Sequence, residues 1–146
     1  MFGDLPVKEI MRRSFMKCKK STTIKDLLKK LRGEQNIVVV YERGKPVGEI
    51  DELDLIIVMV NPRKVPHEYI VELGFGVDLD YFAKTAGDIM DPIHVCVGPD
   101  DSVTDAIVLM DENDVKSLPV VNKEGRVVGV ISDNDIVSAY IKRGYK

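Results

Sequence analysis

Gly129-Val130-Ile131-Ser132-Asp133-Asn134-Asp135 is the stretch on which the fold of this chain turns. An apolar run from Arg126 to Ile131 has β character, a helical run follows from Ile136 to Ile141, and polar residues fill the junction. A helix start leaves four backbone N–H groups without intrahelical partners and carries the positive end of the helix dipole, so it attracts anions. Ser132 can offer a hydroxyl to a phosphate there, and Asp135 can accept from a pair of ribose hydroxyls. The same Ser-x-x-Asp spacing is also a variant of the capping box, which simply closes a helix end. Taken alone, the motif leaves both readings open.

The arrangement occurs twice. Glu9-Ile10-Met11 returns as Asp88-Ile89-Met90, 79 residues on (10 to 89), and Ser21 to Asp26 maps onto Asp100 to Asp105 at the same shift. Ile37 to Val40 matches Leu118 to Val121, and Gly44 to Gly48 matches Gly125 to Gly129, now 81 residues on (48 to 129). Two extra residues are therefore expected in the second copy, around Glu112 to Val115. Asp51-Glu52-Leu53-Asp54 then falls on Ser132-Asp133-Asn134-Asp135. Five blocks repeating in order mark an internal duplication.

Each copy reads as one unit. A short strand (Phe15 to Cys18; His94 to Val97) leads into Ser, Thr and Asp residues suited to capping. The helix that follows places Ile24, Leu27, Leu28 and Leu31 on one face, as Val103, Ala106, Ile107 and Met110 do in the second copy. A β-branched strand, a Gly-containing hairpin turn and a third strand come next. The closing helix is expected over Leu53 to Val60 or Asp135 to Lys142, with Lys142 and Arg143 before Gly144 as a C-terminal signal. A copy of under about 60 residues buries too little apolar surface to stand comfortably alone, so two copies sharing a core are expected. Between them, Asn61 to Lys84 is longer than packing requires, with prolines at 62 and 66, and partial order is expected there.

Composition sets the outer bounds. At 146 residues, 45% hydrophobic and 31% charged, the chain is an ordinary globular one rather than a disordered one. A net charge of −3 leaves no footprint for nucleic acid, and the cluster Arg12, Arg13, Lys17, Lys19 and Lys20 reads as a solvated face. The longest apolar run, Leu55 to Val60, falls far short of a membrane span, and the N-terminus lacks a signal-peptide core, so a cytoplasmic chain is expected. Cys18 and Cys96 are the only cysteines, and His94 two residues before Cys96 is too small a fragment for a zinc site. Both thiols are expected to be reduced, buried and core-filling. No Ser-His-Asp or Cys-His arrangement and no Walker-type phosphate loop is present, so catalysis is not expected.

Two α/β copies of strand–helix–strand–strand–helix, each with Ile-Met near its start and Gly-x-x-[Ser/Asp]-x-x-Asp near its end, resemble a tandem pair of CBS domains (a Bateman module). The resemblance covers residues 5–60 and 85–143, with a connector at 61–84. It implies a pseudo-twofold pair that commonly forms homodimers and regulates another protein, with AMP, ADP or ATP as regulatory ligand and no obligatory cofactor. S-adenosylmethionine or a dinucleotide would also suit the family. The alternative is a structural or protein-interaction module with empty clefts. By this resemblance the main cleft uses Ile131 against the base, Ser132 on phosphate and Asp135 on ribose. Arg12, Phe15, Met16 and Asn36 form its opposite wall, and Lys116 serves as a phosphate-contacting base. The other cleft uses Ile50, Asp51 and Asp54 against His94, Val95 and Ser117. There Asp51 stands where a hydroxyl should donate. Two like charges about 4 Å apart cost roughly 4 kcal/mol at an effective dielectric of about 20. One occupied site per chain is therefore expected.

Overall fold

The computed structural model describes residues 1–30, 37–51, 54–55, 85–93 and 95–144. These form two compact units, Met16–Pro92 and Met1–Phe15 with Ile93–Lys146. The duplicated segments are thus exchanged at their leading ends. Met1 to Phe15, including Ile10-Met11, packs with the second repeat, whereas Thr85 to Pro92 packs with the first. The crossing agrees with the pairing of Arg12 and Phe15 with Ser132 and Asp135 that the resemblance implies, although the repeats themselves run in sequence order. The Leu31 of the expected helix face, Asn36, His94, the connector and most of the first closing helix lie outside the described residues.

In the first-repeat unit, β1 (Met16–Lys19), β2 (Ile37–Glu42), β3 (Lys45–Asp51) and a two-residue β4 (Asp91–Pro92) form a sheet in that order. The β1–β2 pair is parallel, and the β2–β3 and β3–β4 pairs are antiparallel. Helix α1 (Ile24–Lys30) starts at Thr23, whose Oγ1 accepts from Asp26 N at 3.1 Å. A short helix, α2 (Ala86–Ile89), precedes β4. Cys18, Leu27, Val38, Val40, Ile50, Leu55 and Ala86 make the core, and the β-branched run of β2 is buried as its composition requires. Each fully buried Val, Leu or Ile contributes about 1.5–3 kcal/mol.

The second-repeat unit repeats this layout. Helix α3 (Val103–Asn113) leads to the hairpin β5 (Ser117–Val121) and β6 (Val127–Ser132), and α4 (Asp133–Arg143) closes it. Val97 bridges β5 in parallel at Val120, and Arg12 bridges β6 in antiparallel at Val130, so they take the positions of Cys18 and Asp91 in the first unit. Of the expected strand from His94 to Val97, the described residues 95–97 carry only this single bridge. Helix α3 is capped by Ser102, whose Oγ accepts from Asp105 N at 3.0 Å while the Asp105 carboxylate accepts from Ser102 N at 3.1 Å. Val103, Ala106 and Met110 face the core with Val7, Ile10, Met11, Leu118 and Ile131. Ile107, expected on that face, is instead 45% exposed. Cys18 is buried as expected, but Cys96 is an exposed free thiol, because it flanks the buried Val97 on a strand-like segment whose side chains alternate.

Pairing also relocates one inserted residue. Ile37 pairs with Asp51 as Ser117 pairs with Ser132, and Val40 with Gly48 as Val120 with Gly129. Strand β5 is therefore 80 residues beyond β2 (37 to 117), and β6 is 81 beyond β3 (51 to 132). One extra residue precedes β5, and the other enlarges the hairpin turn. In the first repeat that turn is Arg43-Gly44, both left-handed with φ of 53° and 77°. In the second, Asn122 Oδ1 accepts from Glu124 N and Arg126 N at 3.1 and 2.9 Å, and Gly125 alone has positive φ in the turn.

Candidate functional site

Strand β6 delivers Ser132 to the N-terminus of α4, where the capping box closes in both directions. Asp135 N donates to Ser132 Oγ at 3.2 Å, and Asp135 Oδ2 accepts from Ser132 N at 2.9 Å and from Ser132 Oγ at 2.8 Å. The Arg12 Nε also donates to this carboxylate, at 3.1 Å. Arg12 is held there by its backbone, which exchanges hydrogen bonds of 2.8 and 2.9 Å with Val130. The pair is partly buried, with side chains 30% and 15% exposed for Arg12 and Asp135. A partly buried guanidinium–carboxylate contact of this kind is stronger than a surface pair and leaves the cluster close to neutral.

Glycine makes this approach possible. A Cβ at Gly129 would lie 2.8 Å from the Arg12 carbonyl oxygen and 2.7 Å from Met11 Sδ. The Ile-Met of the leader and the glycine of the Gly-x-x-Ser-x-x-Asp stretch are thus two sides of one contact. Lys116 sits beside the junction, since its carbonyl accepts from Asp133 N at 2.9 Å, and its side chain is exposed. Ser132 is buried and Ile131 lies wholly within the core of its unit. Phe15 is half-buried in the same unit. Met16 belongs to the first-repeat unit, where it packs against the core. Of the second group, Ile50, Asp51 and Asp54 are in the first-repeat unit, and Val95 and Ser117 are in the second. Asn36 and His94 fall outside the described residues.

A family model for the CBS domain matches the chain twice, over residues 7–61 and 86–142. The chain belongs to the CBS-domain family. Its relatives include the uncharacterized protein MK0525 of Methanopyrus kandleri, 30% identical over 90% of this chain, and MJ1426 of Methanocaldococcus jannaschii, 31% identical over 70%. The chain spans 60% of the length of the first relative and 71% of the second. Among solved structures, CBSX2 in complex with AMP aligns at a TM-score of 0.72 and 24% identity, covering 94% of this chain and 97% of that one. The CBS domain pair of MJ0100, in complex with 5′-methylthioadenosine and S-adenosyl-L-methionine, aligns at 0.71 and 20% identity, covering 96% and 98%. Both likenesses establish the CBS-pair fold. No described helix is long and apolar enough to cross a membrane, and no group of acidic, His or Cys side chains among the described residues suits a metal ion.

The two CBS repeats build the same corner with different charge, compensated in the second and acidic in the first. In the first repeat, Asp51 Oδ1 accepts from Asp54 N at 2.8 Å, and Asp54 Oδ2 accepts from Asp51 N at 3.1 Å. The position of Arg12 is taken by Asp91, paired with Glu49 as Arg12 is with Val130. Sequence reasoning missed this exchange, although it follows from the shift that superposes Met11 on Met90. Burial, then the charges of Asp51 and Asp91, push Asp54 up to about 7 from 3.8, against the pull of the Asp51 backbone N–H.

This gives the first repeat a pH signature. The folded chain keeps a proton on Asp54 where the unfolded chain has lost it. The stability this provides is full below about pH 4, declines between about 4 and 7, and is gone above. Because Asp54 is only half-buried, solvent screening reduces the effect to about 1 kcal/mol. Asp54→Asn, which keeps an acceptor for Asp51 N, is expected to raise the urea midpoint at pH 8 and leave it nearly unchanged at pH 4. Equal midpoints for both proteins at pH 8 would show that the carboxylates do not oppose one another.

Proposed function

We propose that this CBS pair is a regulatory module whose second repeat binds an adenosine nucleotide, AMP, ADP or ATP, without catalysis. The reading rests on one observation, the charge-compensated cluster of Arg12, Ser132 and Asp135 at the start of α4. Asp135 Oδ1 retains acceptor capacity for ribose hydroxyls, whereas Arg12 and the helix start favour the phosphate. Ser132 Oγ must turn from Asp135 to donate to that phosphate. Lys116 adds a mobile positive charge, and Phe15 an apolar face, with Ile131 supporting the strand beneath. The AMP carried by CBSX2 and the ATP carried by the cytosolic domain of MgtE support this class of ligand. Asp51, Asp54 and Asp91 disfavour an anion at the corresponding corner of the first repeat.

The exposed Ile107, Val137 and Ile141, on α3 and α4, suit a second copy of the chain, through which ligand occupancy would reach a regulated partner. One observation favours a purely structural reading: the capping box is complete and Ser132 is only 1% exposed.

A melting series with AMP, ADP, ATP, S-adenosylmethionine and NAD, followed by calorimetry on the best ligand, separates the two. A ligand at 100 times its Kd stabilises the folded state by about 2.7 kcal/mol, which is several degrees for a chain of this size. One adenosine nucleotide per chain is the expected stoichiometry, and native mass spectrometry should give a dimer. No shift with any nucleotide would leave the structural reading standing. Two equivalent sites per chain would overturn the asymmetry, and a monomer would overturn the dimer.

A further inference from the structure

We propose that the first repeat carries a separate anion site, at the far end of its sheet from Asp51 and Asp54, for a small, multiply charged phosphate compound. Strands β1 and β2 run parallel, so their C-terminal ends coincide, and β3 begins at the same end. Lys19, Lys20 and Ser21 from one strand end, with Tyr41, Glu42 and Arg43 from the other, line a cavity of about 640 Å³. That volume is in the range of small-molecule sites, roughly 300–1,000 Å³.

The cavity brings together three cations and one carboxylate. Lys20 Nζ lies 3.6 Å from Glu42 Oε2, with both side chains 46% exposed, so this is a weak contact that a phosphate can displace. Lys19 and Arg43 have no ion-pair partner among the described residues. Ser21 and Tyr41 supply hydroxyl donors, and burial pushes the Tyr41 phenol up, which keeps it protonated. The frame is fixed, because Lys20 N donates to Tyr41 O at 2.8 Å and Gly87 N to Lys20 O at 2.9 Å.

Two further features single out this end of the sheet. Arg43 is held in a left-handed turn, φ 53°, where Gly, Asn or Asp is the ordinary choice. Backbone outliers of this kind cluster at active sites and ligand clamps. The duplication supplies the control. The corresponding end of the second repeat has Gly98-Pro99-Asp100 in place of Lys19-Lys20-Ser21, with Asp100 bound to Lys8 at 2.8 Å, so of the three cations only Arg43 has a counterpart there, Lys123. Charge follows the same division. Residues 16–45, at the start of the first-repeat unit, hold 9 of the 21 Lys and Arg but only 3 of the 24 Asp and Glu. Several cations around one small cavity select a ligand with clustered negative charge, which a single phosphate supplies poorly.

Calorimetric titration of the full chain with inorganic tripolyphosphate, in metal-free buffer, tests this directly. One saturable site per chain is expected, with orthophosphate at least about tenfold weaker. Arg43→Gly relaxes the turn, so folding is preserved, and it should weaken tripolyphosphate binding about tenfold; adding Lys19→Gln should bring the loss to about a hundredfold. Excess AMP should not compete. Wild-type affinity in Arg43→Gly, displacement by AMP, or no binding at all would each overturn the proposal. A short oligoribonucleotide binding more tightly than tripolyphosphate through the same residues would overturn the small-molecule assignment.

Discussion

Gly129→Val is expected to lower the melting temperature by about 10 °C, a loss of roughly 3 kcal/mol for a chain of this size. The reason is local and severe. The first side-chain carbon alone would stand 2.8 Å from the carbonyl oxygen of Arg12, and backbone cannot yield as a flexible side chain can. The Arg12 segment must then move off β6, giving up both hydrogen bonds to Val130 and the contact between its guanidinium and Asp135. Met11, packed in the core of the second-repeat unit, moves with it. Gly125→Ala in the nearby turn is the control. There φ is 79° and nothing lies within 4 Å of the added carbon, so only the strain of a left-handed alanine remains, about 1 kcal/mol. If both variants melt alike, the leader is not held by close approach at Gly129.

That contact marks the boundary of what the sequence makes legible. The duplication places β2, β5 and the capped helices, because Ser102-x-x-Asp105 and Ser132-x-x-Asp135 carry a local physical signal beside apolar runs of clear period. Local signals do not reveal which repeat a leader packs with. Ile10-Met11 and Ile89-Met90 are interchangeable as apolar pairs, and only the glycine facing each methionine records the partnership. The position of an inserted residue is equally obscure. Ile37 to Val40 resembles Leu118 to Val121 at one offset, and strand pairing selects another, since it is the buried Val38 and Val40 that must match Leu118 and Val120.

The site divides in the same way. Ser132, Asp135 and Arg12 are recognisable from residue type, and their meeting is a consequence of the exchanged leader. The charge reversal at Asp91 was open to reading, because it is the residue after Met90 as Arg12 is the residue after Met11. What conceals it is that a carboxylate there has no meaning until β4 brings it beside Asp54. Side-chain exposure is the least legible property, as Cys96 and Ile107 show, because it depends on which neighbours arrive from elsewhere in the chain.

Asp135→Ala is expected to abolish nucleotide-induced stabilisation and to weaken AMP binding at least a hundredfold, with a stability loss of about 2–3 kcal/mol. The stability loss combines two effects. Ser132 N–H loses its acceptor at the start of α4, and the partly buried Arg12 loses the carboxylate it faces. Asp135→Asn separates structure from ligand. An amide oxygen can still accept from Ser132 N, so the cap is retained, but the charge opposite Arg12 is gone and one oxygen has become a donor. The asparagine variant should therefore recover about half of the lost stability while binding AMP about tenfold more weakly than wild type. Calorimetry beside urea denaturation reads both quantities on the same samples. If both variants lose stability in this order yet bind AMP as wild type does, Asp135 is a helix cap alone. The ribose contact assigned to it would then have to be sought elsewhere.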